Sequence, residues 1–146
     1  MPRDRLRKLT IIYPIFFIVT LFPGCNRIRS SKKDTEKEIK QILLLREQSM
    51  ESKDLYRYMQ CISKDYEDKT ETYAMIKEKM QKNFEAFDMI DLTQFNQSIY
   101  QEGDRVMLVQ DFELSFVMAG ERDYVRGKER IFFEKKNGTW KIVKGL

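Results

Sequence analysis

The chain has 146 residues, with 27 lysines and arginines against 23 aspartates and glutamates and a formal net charge of +4. Residues 1–24 hold four of the basic side chains and one of the acidic ones, so the remainder stands at 23 against 22 and gives no argument for nucleic acid. Histidine is absent, which excludes His–Asp dyads, Ser-His-Asp and Cys-His nucleophiles and imidazole metal sites.

The first element in chain order is an export signal. Arg3, Arg5, Arg7 and Lys8 form a positive n-region, and the run from Leu9 to Phe22 is almost wholly apolar. At ~1.5 Å per residue that run reaches only ~21 Å as a helix, short of a ~30 Å hydrocarbon core, and suits a signal h-region better than a permanent span. Phe22-Pro23-Gly24-Cys25 resembles the bacterial lipobox, in which a small residue precedes the cysteine that is acylated and becomes the new N-terminus. Gly24 and Cys25 match that pattern; Phe22 and Pro23 depart from it, the usual Leu standing one place earlier as Leu21. The resemblance implies residues 1–24 as a cleaved signal peptide and Cys25 as a lipid attachment site. Acyl chains of the palmitate kind would hold the protein on a membrane, stably where two or more are present. With Cys25 acylated, Cys61 is the one remaining thiol and no intramolecular disulfide is available; a small buried apolar role suits it.

Residues 25–34 read as a lipidated cysteine and a short basic tether, and residues 35–146 as a single domain. Thr35 followed by Glu38 matches a capping box, and Ile39, Ile42, Leu43, Arg46 and Met50 continue at helical spacing, predicting a helix over 36–52. Asp54 can cap a second short helix with Leu55, Tyr58, Met59 and Ile62 on its apolar stripe. A polar connection follows over 63–68. A third helix is expected from near Thr70, with Glu71 in its first turn and Tyr73, Ile76, Met80, Phe84 and Phe87 as its seam.

From Met89 the apolar period changes to two. Strands are expected over 89–102, 105–118, 123–135 and 139–145, with Gly103-Asp104 as a type II′ turn and Asn137-Gly138 as a type I′ turn. Val106, Leu108, Phe112, Leu114, Phe116 and Met118 share one face of the second strand. A regular middle hairpin closing on Met118 and Asp123 would set Glu113 opposite Lys128 and Asp111 opposite Arg130, which explains these charges as a solvated outer face. It would also set Gly127 opposite Leu114 and turn Val125, Ile131 and Phe133 inward.

Three helices followed by a curved four-stranded antiparallel meander make an α+β domain that resembles the nuclear transport factor 2-like superfamily, whose sheet wraps around a helix as a cone. The likeness is carried by residues 47–66, a helix, a break at Asp54 and a second helix ending in Asp65-Tyr66. It is carried too by the closing hairpin Lys136-Asn137-Gly138-Thr139-Trp140-Lys141-Ile142. The superfamily contains isomerases, dehydratases, cyclases, scaffold proteins and exported lipoproteins, so the resemblance does not choose a function.

An isomerase of this fold needs a carboxylate base facing hydrogen-bond donors across an apolar cavity. Regular registers turn Asp91, Gln97, Gln110 and Glu129 inward, with Tyr58 able to donate from the helical side and Glu129 opposite Phe112. The cavity walls expected are Phe95, Leu108, Phe112, Phe116, Ile131 and Phe133. The abundance of aromatic side chains favours a filled interior. The expected function is therefore an exported lipoprotein of the bacterial cell envelope, on the periplasmic or extracellular side, with a non-catalytic ligand- or protein-binding domain. The alternative is a small isomerase or dehydratase acting on an apolar substrate. Expected partners are the membrane, a second copy or envelope protein against the outer sheet face, and a small apolar ligand; no metal or cofactor is implied.

Overall fold

The computed structural model describes residues 31–69 and 71–146 of the chain. The signal segment, Cys25, the first residues of the tether and Thr70 lie outside the described residues.

Helix α1 (Lys32–Glu51) begins inside the expected tether. Ser31 caps it: its hydroxyl accepts from the Asp34 N–H at 3.2 Å, and the Asp34 carboxylate accepts from the Ser31 N–H at 3.3 Å. This capping box sits one turn before the Thr35–Glu38 pair expected to start the helix, and Thr35 is buried instead. The buried stripe of α1 runs Thr35, Ile39, Leu43, Arg46, Ser49 and Met50, so one charged residue lies within an apolar seam. Asp54 caps α2 (Leu55–Gln60), its carboxylate accepting from the Arg57 N–H at 2.9 Å.

A small hairpin follows, β1 (Glu67–Asp68) with β2 (Glu71–Thr72), turning through Lys69 at φ 54°. Glu71 thus lies in a strand, and α3 (Tyr73–Ala86) starts later than expected, with Thr72 as its cap.

The sheet is an antiparallel meander of β3 (Met89–Glu102), β4 (Arg105–Met118), β5 (Glu121–Lys136) and β6 (Thr139–Lys144), in spatial order β3-β4-β5-β6. Asn137 and Gly138 both have positive φ, as the expected type I′ turn requires. The β4–β5 connection is tighter than expected. Ala119 (φ 52°) and Gly120 (φ 83°) alone join Met118 to Glu121. The register therefore moves by two residues: Asp111 faces Lys128, Glu113 faces Arg126, Phe112 faces Gly127 and Gln110 faces Glu129. A shift of two preserves the faces, so the outer ladder of ion pairs forms with different partners, Lys128 on Asp111 at 3.2 Å and Arg126 on Glu113.

Strand β3 carries a bulge between Phe95 and Ser98, where Asn96 adopts φ 55° and its side chain donates to Asp111 at 2.8 Å. One inserted residue exchanges the faces of the strand on either side of it. Ile90, Leu92 and Gln94 point inward before the bulge, Ile99 after it.

Helix α1 packs on β3 across the concave face of the sheet. Ile62 bridges to Ile142 in parallel, and the Cys61 carbonyl and Ser63 N–H bond to the Ile142 backbone at 2.8 Å each, sealing α2 against β6. Ile39, Leu108, Ile131, Phe133 and Ile142 have no exposed surface and form the centre of the core. Trp140, just after the last turn, is buried with the Lys135 ammonium over its ring. Among the described residues, no helix is long and apolar enough to cross a membrane.

Candidate functional site

The concave interior is polar at one place, where α1, β3, β4 and β5 converge. Arg46 reaches in from α1 and meets the Glu129 carboxylate through two contacts, Nη1 to Oε1 at 2.7 Å and Nη2 to Oε2 at 3.1 Å. Both side chains are nearly out of water, 9% and 11% exposed. Gln110, on the facing position of β4, donates to the same Oε1 at 2.6 Å and to the Gln94 Oε1 at 2.9 Å. Gln94 also accepts from Arg46 Nη1 at 3.2 Å and donates to the Leu43 carbonyl at 3.1 Å, which ties the cluster back to α1.

Charge and burial act together here. Burial disfavours the Arg46 cation, but the adjacent Glu129 charge, and then Tyr58, outweigh it and hold Arg46 above the ordinary arginine range. Burial likewise raises Tyr58, with Arg46 opposing. The result is a fork-on-fork pair, the strongest geometry that a guanidinium and a carboxylate adopt. Two buried polar atoms of the cluster have no hydrogen-bond partner, Arg46 Nε and Gln110 Oε1.

The structure thus brings together three of the five polar residues expected in the interior: Glu129, Gln110 and Tyr58. It does not bring in Asp91 or Gln97, both of which are exposed. Asp91 faces Ser115 on the outer face, and Gln97 lies in the β3 bulge, with Gln94 taking the inward place. The same bulge corrects Phe95, which is 41% exposed and pairs with Asp111 on the outer face. Val125 shares the concave face but is half exposed. Leu108, Ile131 and Phe133 are fully buried; Phe112 and Phe116 are half-buried against the core.

Arg46 and Gln94 are the members of the site that sequence reasoning did not single out. The signal for Arg46 was present, since a cation in the seam between Leu43 and Met50 must find an anion on the surface it packs against. Gln94 carried no such signal, because its facing depends on where the strand bulges.

Arg46 engages both oxygens of Glu129, so the arrangement holds the two charges in place. Among the described residues, no cluster of cysteines and carboxylates is placed to hold a metal ion. An open cleft lined by Lys64, Asp65, Tyr66, Glu67 and Tyr73 lies beside the β1–β2 hairpin, away from this cluster.

No protein-family model matches the chain, and no curated protein matches it either. Solved structures do share the fold. A nuclear transport factor 2-like superfamily protein from Salmonella enterica is 17% identical, with a TM-score of 0.72 over 79% of this chain and 90% of its own. A candidate aromatic ring hydroxylase from Novosphingobium aromaticivorans is 13% identical, with a TM-score of 0.72 over 80% and 89%. A candidate scytalone dehydratase from the same bacterium is 11% identical, with a TM-score of 0.68 over 76% and 80%. At these identities the likeness is one of fold: the described chain is a nuclear transport factor 2-like α+β cone.

Proposed function

We propose that this chain is an exported lipoprotein of the bacterial cell envelope, anchored by lipid on Cys25, whose cone-shaped domain binds a partner and turns nothing over. One observation carries the non-catalytic part. The interior carboxylate opposite Gln110, Glu129, has both oxygens engaged by Arg46 and one shared with Gln110, so it is not presented to the interior as a free base. A general base works by meeting the proton it abstracts within hydrogen-bond reach. Here that reach is taken up by the protein's own cation.

The anchoring part rests on the apolar run ending at Gly24-Cys25. Mass spectrometry of the protein purified from a bacterial membrane tests it: the chain should begin at Cys25 and carry acyl mass there. A chain starting at Met1, or cleaved elsewhere without acyl groups, overturns it.

A second reading is favoured by the chemistry of the cluster and by the fold neighbours described as candidate hydroxylases and dehydratases. In that reading an apolar substrate displaces Arg46 and Glu129 acts as base, with Tyr58 and Gln110 orienting the guest. Assays for enolisation and dehydration of apolar ketones and alcohols separate the two. The binding reading expects no turnover; turnover that Glu129→Gln abolishes while circular dichroism shows that variant still folded would establish the enzyme.

A further inference from the structure

The outer half of the β4–β5 hairpin carries β5 charges of opposite sign on its two faces, and among the described residues only those of the convex face are answered there. Along β5 the convex side presents Arg122, Tyr124, Arg126, Lys128 and Arg130, while the concave side presents Glu121, Asp123, Val125, Gly127 and Glu129. The convex cations at 126 and 128 meet β4 acids. On the concave side, Glu129 is met by Arg46 from α1. Glu121 and Asp123 are exposed and, among the described residues, no ion pair reaches either one. Among the described residues, Asp123 accepts from its neighbour's backbone, the Tyr124 N–H at 2.8 Å.

These two acids border an apolar surface. Met118 and Val125 are 51% and 50% exposed, and Leu114 and Phe116 continue the same face half-buried beside them. The surface is continuous with the core, since Phe116 stacks on Phe87 at 4.6 Å between ring centres. A solvated sheet face does not need this row of apolar residues, and a buried one needs a cover.

We infer that this concave face is a docking surface for a cationic amphipathic helix of another protein. Charge complementarity identifies the occupant. On the same row of β5, at Glu129, the chain has solved the equivalent problem by laying a helix across the sheet with an arginine between apolar residues. A partner helix lying beyond the end of α1 would repeat that solution, its apolar stripe on Met118, Leu114 and Val125 and its lysines or arginines on Glu121 and Asp123. Cleaved before Cys25, as proposed above, the chain would keep only residues 25–31 before α1, a reach of at most about 25 Å, short of the ~30 Å of helix that separates the start of α1 from its end nearest the hairpin. A second copy presenting the same face would set acid against acid.

The inference rests on the binding-module reading, and its test fails separately. Full-length chain in zwitterionic nanodiscs is titrated with a fluorescent peptide of leucines and lysines at helical spacing, with empty nanodiscs as the blank. Saturable binding is expected, with amide shifts confined to residues of the hairpin's concave face. Glu121→Lys with Asp123→Lys should weaken it at least about tenfold. Asp111→Lys with Glu113→Lys makes the same change of net charge on the convex face and should leave affinity within about twofold. Circular dichroism checks that both variants fold. Equal weakening by both pairs, no weakening by the first, no saturable binding, or equal binding of a glutamate-for-lysine peptide overturns the inference. Turnover by the cone would overturn the non-catalytic reading and leave this isotherm unchanged.

Discussion

Arg46 and Glu129 stand 83 positions apart in the chain and meet in the cone interior as a two-pronged ion pair, with oxygen contacts of 2.7 and 3.1 Å. The pair fixes α1 to β5, two strands across the sheet from β3, so its loss should be felt as loss of fold.

Removing one member of a buried pair leaves an uncompensated charge and costs about 3–5 kcal/mol, whereas replacing both with apolar groups is often neutral or better. Arg46→Met and Glu129→Leu should each destabilise by about that amount in urea denaturation, and the double variant by about 1 kcal/mol or less. Additive losses would mean that the two side chains act independently and that the pair does not hold α1. Because Arg46 is raised, its contribution is complete below the ordinary arginine range and is lost only as strong alkali discharges it.

Gly127 and Phe112 make a second linked pair. A Cβ at Gly127 would lie 2.9 Å from the Phe112 ring, which therefore rests directly on the β5 backbone. Gly127→Ala should cost about 1–3 kcal/mol by forcing that ring aside. In a Phe112→Leu background the same substitution should cost less than half as much. An equal cost in both backgrounds would place the strain in the backbone and not in the ring contact.

The helices, the four strands and the faces of β4 and β5 were legible because each rests on local periodicity. Met89–Glu102 and Arg105–Met118 follow the expected ranges, and Asn137-Gly138 turns as its chemistry requires. What was not legible rests on single residues. The β3 bulge at Asn96 moved Phe95 outward and Gln94 inward, and Ala119-Gly120 closed a tighter hairpin than expected. Glu129 and Gln110 survived the second error, since a slip of two keeps every side chain on its face. Asp91 and Gln97 did not survive the first, since a bulge of one exchanges faces.

Cys61 is buried, with its thiol pushed up to about 11 by burial, against which Arg46 and two other cations act. The thiolate is the reactive form, so at pH 8 iodoacetamide should modify Cys61 in the folded protein far more slowly than in urea. The sign for stability follows from the same shift. A raised thiol contributes stability fully below its unfolded value near 8.5, and that contribution is lost as pH rises through about 11. Alkylation at equal rates in folded and unfolded protein would remove Cys61 from the core.

Ala119 carries the least suitable side chain for its backbone in the whole sheet. It takes φ 52° at the first position of the β4–β5 turn, where a left-handed conformation costs an ordinary L-residue about 1–2 kcal/mol and asparagine less. The corresponding position of the β5–β6 turn is Asn137 at φ 50°, followed by a glycine in both cases. Ala119→Asn should therefore stabilise the protein by about 0.5–1 kcal/mol, seen as a higher urea midpoint at unchanged slope. Ala119→Val should do the reverse, since a β-branched side chain is the worst accommodated at positive φ. A midpoint that falls for Asn as well would mean that the turn is not left-handed at residue 119 and that the hairpin closes in another register. Glu113 and Lys128, the pair expected from the wider turn, would then be the neighbours to look for by cross-strand amide contacts.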